Sequence, residues 1–285
     1  MIEINAKTQL CGLIGNPVEH SLSPSIHNAA FQKLQLNFVY LAFRVEDLSG
    51  AIRGIRALGN VRGLSVTIPH KVAVIPYLDE VETTAKYIGS VNTIVVENGK
   101  LIGYNTDASG ALRVLTEAGI KLQGQRVLML GSGGAARAIA FALTNGTLID
   151  RLTILGIDET ERRALAEDLR TKTPLSVEEA PLNEAMLGDA IRDSQILLHC
   201  TPVGMSPHVE QTCVPARLLH PSLTVMDIVY NPVETRLLRE ARAAGCRIIC
   251  GIEMFLNQAV AQFELWTKQV APADVMRAVL ESRFS

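Results

Sequence analysis

The sequence carries almost no net charge, since 27 Lys and Arg residues face 29 Asp and Glu residues in a chain of 285. This balance offers no basic surface for a phosphate backbone or an anionic membrane, so we expect neither nucleic acid nor membrane as a partner. The five cysteines form no CxxC framework, which indicates reduced thiols in a reducing compartment. A small-molecule enzyme or a protein-binding module fits this composition.

Targeting, membrane and metal signals are also missing. The stretch MIEINAKTQLCGLIGNP has no long apolar core and is not typical of a signal peptide. The most apolar stretch, RVLMLGSGGAARAIAFAL, is interrupted by three glycines and Arg137, so we do not expect it to span a bilayer. No HExxH motif or Cys/His cluster predicts a metal site. We expect a cytoplasmic protein, either a monomer or a homodimer, without a metal.

Short apolar runs alternate with helical patterns along the chain, which predicts an α/β fold with parallel sheet. One stretch, VNTIVVENGKLIGYNTD, places Asn98 and Gly99 between two apolar runs and predicts an antiparallel hairpin. The helical stretch SPSIHNAAFQKL is predicted to have Ser23 as its N-cap and Pro24 in its first turn. The length favours two domains, 1–107 and 108–252, with the helical residues 253–285 packing back on the first.

A glycine-rich turn follows the first predicted strand of the second domain. Residues 131–136, GSGGAA, match G-x-G-x-x-[G/A] between a strand and a helix, which is the context of a Rossmann dinucleotide-binding loop. Glycines let the backbone approach a pyrophosphate, and helix N-terminal N–H groups donate to it. The alternative is that the glycines serve only tight packing of strand and helix. We expect a bound dinucleotide.

Polar side chains follow the apolar runs of the first domain. Lys71 lies in SVTIPHK and Asp107 in GYNTD, and each alone is typical of a solvated surface charge. Together with Thr67, Asn92 and Asn105 they form a candidate polar cleft. A Lys/Asp pair suits proton transfer from a hydroxyl group whose carbon loses a hydride.

Two hydroxyls, those of Ser21 and Ser23, lie two residues apart in HSLSPSIHN. If this segment is extended, both can face one anion or polyol. The alternative is that they only cap and turn the chain, and the residues alone favour that alternative.

Eight stretches of this chain resemble the shikimate dehydrogenase family in their order and spacing, from Gly12 to Ala261: NPVEHSLSPSIHN, LSVTIPHK, GSVNTIV, GYNTDASG, LGSGGAARAIAFAL, CTPVGM, DIVYNP and GIEMFLNQA. The resemblance implies a substrate domain followed by a Rossmann domain, with C-terminal helices returning to the first. It implies reversible oxidation of the C3 hydroxyl of shikimate to 3-dehydroshikimate in the shikimate pathway, with hydride passing to a nicotinamide.

The resemblance also assigns site residues. It makes Lys71 the catalytic lysine and Asp107 its partner carboxylate. The substrate-binding residues it implies are Ser21, Ser23, Thr67, Lys71, Asn92, Asp107, Tyr230 and Gln258. The cofactor-binding residues are Gly131, Ser132, Gly133, Gly134, Ala135, Asp158, Thr201, Ile228 and Gly251. A serine at the second position of S-x-S-P favours shikimate, because related quinate-preferring enzymes often carry threonine there.

The chain departs from the family after its second Rossmann strand. Typical members carry Asn-Arg-Thr and a further basic residue there, and this set recognises the 2′-phosphate of NADP. The aligned positions here are Gly156, Ile157 and Asp158, with Glu161 near the later basic position. An acid about twenty residues beyond the glycine loop is the general solution for NAD, because it accepts hydrogen bonds from the ribose hydroxyls. We therefore expect NAD.

Alternatives remain for the cofactor and the function. Asp158 can instead be a helix N-terminal acid, with Arg162 or Arg163 reaching back to the phosphate of NADP. The enzyme can then be an NADP-dependent biosynthetic shikimate dehydrogenase, or a quinate/shikimate dehydrogenase of catabolism. A ligand-sensing module without catalysis is the alternative from another class, and the intact Lys71/Asp107 pair argues against it.

Overall fold

A computed structural model describes residues 4–144 and 149–283 of the chain. The chain divides into two compact units, the first formed by Met1–Thr106 with Leu256–Ser285 and the second by Asp107–Phe255. Each unit contains a six-stranded sheet with helices, so the predicted α/β class is confirmed. Asp107 opens the second unit, whereas the sequence analysis ends the first domain at this residue.

The first unit is a mixed sheet with strand order β2-β1-β3-β5-β6-β4. Strand β1 runs parallel to β2 and β3, whereas β5 runs antiparallel to both β3 and β6. Its elements up to residue 106 are β1 (Gln9–Gly15), α1 (Ser23–Lys33), β2 (Phe38–Arg44), α2 (Leu48–Ala57), β3 (Val61–Val66), α3 (His70–Ala73), β4 (Glu80–Val81), α4 (Thr83–Ile88), β5 (Thr93–Glu97) and β6 (Lys100–Tyr104). Because of these directions, β1, β3 and β6 end at the same edge of the sheet at which β5 begins.

The predicted hairpin is confirmed by the pairing of β5 with β6. Asn98 and Gly99 connect the strands with φ angles of 51° and 77°. Two consecutive residues in the left-handed region are what a type I′ turn requires, and Asn-Gly adopts that conformation at low cost.

The second unit is a fully parallel sheet with strand order β12-β11-β10-β7-β8-β9. The chain starts in the middle of the sheet, runs outwards to β9, and returns to the middle at β10, which is the Rossmann arrangement. Its elements are α5 (Asp107–Glu117), β7 (Arg126–Leu130), α6 (Gly134–Ala142), β8 (Arg151–Gly156), α7 (Glu159–Lys172), β9 (Ser176–Pro181), α8 (Glu184–Asp193), β10 (Ile196–His199), β11 (Thr224–Asp227), α9 (Arg236–Ala243) and β12 (Arg247–Cys250). Ligands bind where such a sheet reverses its strand order, here between the carboxyl ends of β7 and β10.

Two C-terminal helices complete the chain. Helix α10 (Gly251–Thr267) begins in the second unit and continues in the first, and α11 (Ala273–Ser282) packs against α1. Trp266 of α10 donates its indole N–H to the carbonyl of Ile94 at 3.0 Å. Gly63 makes room for this ring, because a Cβ atom there would lie 2.0 Å from Trp266 Nε1. The expected return of the C-terminal helices to the first unit is therefore confirmed.

In the part of the chain that the structure describes, no helix combines the length and the apolar character needed to cross a membrane.

Candidate active site

The two serines of HSLSPSIHN start helix α1 differently from the prediction. Leu22 is the N-cap and no side chain caps the helix, so the cap role predicted for Ser23 was wrong. Ser23 is the first helical residue, and its N–H donates to Ser21 Oγ at 3.2 Å. The N-cap therefore lies one residue closer to the N-terminus than predicted, because Leu22 already has αR backbone angles. The helix cap therefore makes no use of the Ser23 hydroxyl. Pro24 lies in the first turn, as predicted.

Thr67 and Lys71 follow strand β3 at the edge where β1 also ends. Thr67 is fixed through its backbone, since its N–H donates to Ile14 and its carbonyl accepts from His70, both at 2.9 Å. Gly15 lies against it, because a Cβ atom there would be 2.2 Å from Thr67 Cγ2. The carbonyl of Lys71 accepts from Val91 N at 2.8 Å. These bonds hold the backbone of both residues at one edge of the sheet, and a change of the Lys71 side chain leaves them intact.

Asn92 holds the chain that leads to Asp107. Its Nδ2 donates to Thr106 Oγ1 at 2.9 Å, and its Oδ1 accepts from Thr106 N at 2.8 Å. It is almost fully buried and also accepts from Thr93 Oγ1 at 2.8 Å. Asp107 follows Thr106 directly and is the first residue of α5, where it is 5% exposed. Lys71 is thus bonded through its backbone to Val91. Thr106, which precedes Asp107, is bonded to Asn92, the residue next to Val91.

Gln258 lies on α10 in the first unit and is buried. One turn later on the same helix face, Gln262 donates to the Asn92 carbonyl at 3.2 Å and to Thr93 Oγ1 at 3.0 Å. Gln262 also accepts from Ser65 Oγ at 2.8 Å. The sequence analysis missed Gln262, although its spacing of four residues from Gln258 is a helical signal. These bonds fix the helix that carries Gln258.

The glycine loop of the second unit fits a dinucleotide pyrophosphate. Gly131 has a φ of 105°, and a Cβ atom there would lie 2.9 Å from the carbonyl oxygen of Cys200. Both facts require glycine at this position. Helix α6 follows with Gly133 as an N-cap that offers no side chain. A helix start of this kind presents backbone N–H groups and positive partial charge to an anion.

Ile228 and Gly251, expected beside the nicotinamide, lie in this unit, as do Thr201, expected to bind the cofactor, and Tyr230, expected to contact the substrate. Gly251 lies against Ile228, because a Cβ atom on Gly251 would be 2.5 Å from the Ile228 carbonyl carbon. Thr201 lies two residues beyond β10, and its Cγ2 would be 3.1 Å from a Cβ atom on Gly131. Tyr230 stacks on Phe255 with ring centroids 4.0 Å apart. These residues follow the carboxyl ends of β7, β10, β11 and β12, which lie side by side in the sheet.

Asp158 caps helix α7, and its Oδ1 accepts from Glu161 N at 2.9 Å. The helix-start role that the sequence analysis held as an alternative is therefore present. A carboxylate has a second oxygen, and Asp158 is exposed, so capping does not prevent it from accepting a hydrogen bond from a ribose hydroxyl. The preceding residue, Ile157, is 89% exposed.

The two arginines after Asp158 have other partners. Arg162 is 5% exposed, donates from Nη1 to the carbonyl of Gly156 at 2.9 Å, and forms an ion pair with Glu179. Arg163 pairs with Glu159 one turn back at 2.7 Å on the exposed face. Arg162 therefore supports the end of β8 from inside the unit.

Known proteins match this chain along nearly its whole length. The family described as "Shikimate dehydrogenase substrate binding domain" matches residues 13–94, and the one described as "Shikimate 5'-dehydrogenase C-terminal domain" matches residues 251–281. A relative from Desulforamulus reducens named "Shikimate dehydrogenase (NADP(+))" is 45% identical, over 98% of this chain and 97% of its own.

Solved structures of similar proteins agree with the fold. Shikimate 5-dehydrogenase from Listeria monocytogenes, in complex with shikimate and NAD, superposes with a TM-score of 0.85 and 38% identity over 97% of this chain and 98% of its own. Quinate dehydrogenase from Corynebacterium glutamicum, in complex with NAD, superposes with a TM-score of 0.86 and 32% identity over 96% of this chain and 99% of its own.

Proposed function

We propose that this chain, which belongs to the shikimate dehydrogenase family, oxidises the C3 hydroxyl of shikimate with NAD as its preferred hydride acceptor. The chain is an NAD(P)-dependent shikimate dehydrogenase. The burial of Arg162 against Gly156 and Glu179 carries the NAD preference, because this arginine already has a carboxylate partner and does not lie free beside Asp158.

In the proposed mechanism, Lys71 and Asp107 act on the substrate hydroxyl that loses its proton. Lys71 Nζ accepts the proton of the C3 hydroxyl, and the Asp107 carboxylate orients that hydroxyl. The hydroxyls of Ser21 and Ser23 bind the substrate carboxylate. The ring hydroxyls are bound by Thr67, Asn92, Asp107 and Gln258, and Tyr230 also contacts the substrate. When bound, the dinucleotide supplies the nicotinamide ring that accepts the hydride.

The ribose end is acidic, and this favours NAD over NADP. A 2′-phosphate near Asp158 would face a like charge, and two such charges about 4 Å apart repel by roughly 4 kcal/mol at an effective dielectric constant near 20. Glu161 adds a second acid, with Oε2 4.0 Å from the position of a Cβ atom on Gly133. The side chain of Ile157 offers no hydrogen-bond donor. A ribose with a free 2′-hydroxyl instead finds an acceptor in Asp158.

The names of similar proteins include both NADP and NAD as the dinucleotide. The relative from Desulforamulus reducens is named for NADP(+), whereas the structures from Listeria monocytogenes and Corynebacterium glutamicum contain NAD. The proposed preference for NAD therefore rests on this chain's own residues, Asp158, Glu161 and Arg162. Quinate is the second candidate substrate, supported by the Corynebacterium neighbour. The serine at position 23 favours shikimate.

A double variant, Ile157→Arg with Asp158→Thr, tests the role of the ribose end. Threonine keeps a capping oxygen for α7 while it removes the charge, and arginine adds a donor that a phosphate can use. We expect the ratio of kcat/KM with NADP to kcat/KM with NAD, measured for shikimate oxidation, to rise about tenfold or more over the wild-type ratio, since removed repulsion and an added ion pair are each worth 1 kcal/mol or more at this dielectric.

The control is Glu167→Gln, which removes an exposed acid further along α7. This variant should keep the wild-type ratio. A double variant whose ratio equals that of the wild type would show that Asp158 is only a helix-start residue.

A further inference from the structure

A buried polar chain links strands β10 and β11 at their carboxyl ends. His199, the last residue of β10, contacts Asp227, the last residue of β11, through Nδ1 and Oδ1 at 2.8 Å. The side chains are 2% and 0% exposed. On the other side of the ring, His199 Nε2 lies 2.5 Å from Thr201 Oγ1. Neither residue was assigned a role from the sequence, although the DIVYNP stretch begins at Asp227.

The surroundings of Asp227 determine which hydrogens His199 carries. Besides His199, the Asp227 carboxylate accepts from Val229 N at 3.0 Å and from Thr235 Oγ1 at 2.6 Å. Both carboxylate oxygens therefore accept hydrogen bonds, and a buried carboxylate of this kind is stabilised by a cationic partner. Burial alone would lower the pKa of His199, but the hydrogen bond and charge of Asp227, followed by those of Cys213, outweigh it and raise the pKa to about 10. Both ring nitrogens of His199 therefore carry hydrogen at neutral pH.

The protonation of His199 fixes the direction of the Thr201 hydroxyl. A hydroxyl group has two lone pairs and one hydrogen. Thr201 Oγ1 accepts from His199 Nε2, and it also accepts from Val203 N at 3.2 Å. Both lone pairs are then in use, so the hydroxyl hydrogen of Thr201 has to serve a third group as a donor.

Thr201 lies where a dinucleotide would receive that hydrogen bond. It is partly exposed, follows β10 at the point where the sheet reverses its strand order, and lies against Gly131 of the glycine loop. We propose that His199 is a positioning residue for the dinucleotide, because it holds Thr201 as a hydrogen-bond donor to an acceptor oxygen of the bound dinucleotide. This inference rests on the assignment of the glycine loop as the dinucleotide site and is independent of the preference for NAD.

Two substitutions separate positioning from simple support of the fold. His199→Asn keeps an N–H at the position of Nδ1 for Asp227 but loses the donor that reaches Thr201. Thr201→Val removes the hydroxyl and keeps the side-chain shape, and Thr201→Ser is the control that keeps the hydroxyl. We expect His199→Asn and Thr201→Val each to raise the Kd of NAD+ about fivefold to tenfold, as is typical for the loss of one hydrogen bond, while the KM for shikimate stays unchanged.

The double variant His199→Asn/Thr201→Val gives the decisive comparison. Because both substitutions break the same interaction, its Kd should equal that of either single variant, and Thr201→Ser should bind like the wild type. The measurement is titration calorimetry with NAD+ and with NADP+, on proteins whose folding is checked by circular dichroism. An unchanged Kd in His199→Asn, or losses that multiply in the double variant, would overturn the proposal.

The same titrations keep this inference separate from the proposed function. The fold-loss should be equal with NAD+ and NADP+, because the Thr201 interaction does not involve the 2′ position. A wild-type protein that binds NADP+ more tightly would contradict the NAD preference, while equal fold-losses with both dinucleotides would still support the positioning role.

Discussion

Replacing Lys71 with alanine is expected to lower kcat for shikimate oxidation by about 10² to 10⁴, which is the usual contribution of a general acid–base group. The substitution removes the amine that accepts the C3 hydroxyl proton in the proposed mechanism. It leaves the backbone hydrogen bond between Val91 and Lys71 in place, so the local structure after strand β3 should persist. The measurements are steady-state kinetics at saturating dinucleotide and titration of shikimate binding, which should weaken far less than kcat.

The matched control is Lys100→Ala, which removes a lysine of the same unit that forms an exposed ion pair with Glu80. Exposed ion pairs contribute little to stability, and this one joins the neighbouring strands β6 and β4. The control should keep the wild-type kcat. A Lys71→Ala enzyme with wild-type turnover would refute the role of Lys71. Another group would then have to accept the C3 hydroxyl proton.

Two buried histidines, His27 and His199, are expected to lower the stability of the protein on opposite sides of pH 6.5, because their pKa values shift in opposite directions on folding. His27 is fully buried among aromatic rings, with Tyr40 stacked at 4.6 Å, and burial lowers its pKa from 6.5 to about 3. Its two ring nitrogens have no hydrogen-bond partner among the described residues. Below pH 6.5 the unfolded chain takes up a proton at this residue and the folded chain does not. The stability therefore falls with pH between 6.5 and about 3.

His199 has the opposite shift, with a pKa raised to about 10 in the folded state. Above pH 6.5 the unfolded chain loses this proton while the folded chain keeps it, so the stability falls as pH rises towards 10. Each contribution changes the free energy of unfolding by about 1.4 kcal/mol per pH unit.

Urea unfolding of wild type and His27→Leu across pH isolates the acid side of this dependence. Because carboxyl groups titrate in both proteins, the difference between them is the quantity to follow. The wild type should lose about 3 kcal/mol relative to the variant between neutral pH and about pH 4.5. His199→Asn should flatten the alkaline side in the same way. A difference that does not change with pH would contradict the neutral buried state of His27.

Local signals in the sequence were sufficient for much of this fold. Asn98 and Gly99 predicted their hairpin because only a few residue types accept two left-handed conformations in a row. The loop that starts at Gly131 was recognisable because its glycines are set by backbone geometry, which leaves a local trace in sequence. The family resemblance then placed Lys71 and Asp107 from motifs.

Other features depend on contacts between distant residues, and these leave little local trace. Strand β9 was missed because its sequence, SVEEAP, is polar and lies at the sheet edge, so it lacks the apolar run of a buried strand. The partner of Arg162, Glu179, lies on that strand, so the burial of Arg162 could not be predicted either. The same holds for His199, whose partner Asp227 lies on another strand. Ser23 failed as a predicted cap because Ser21 and Leu22 set the helix start.

The preference for NAD and for shikimate is measured by kcat/KM of the wild-type enzyme for shikimate and quinate, each with NAD and NADP. We expect shikimate with NAD to be the best of the four combinations, several-fold or more above shikimate with NADP, since even part of the expected repulsion of roughly 4 kcal/mol gives such a ratio. Equal rates with both dinucleotides, or a preference for NADP, would contradict this expectation.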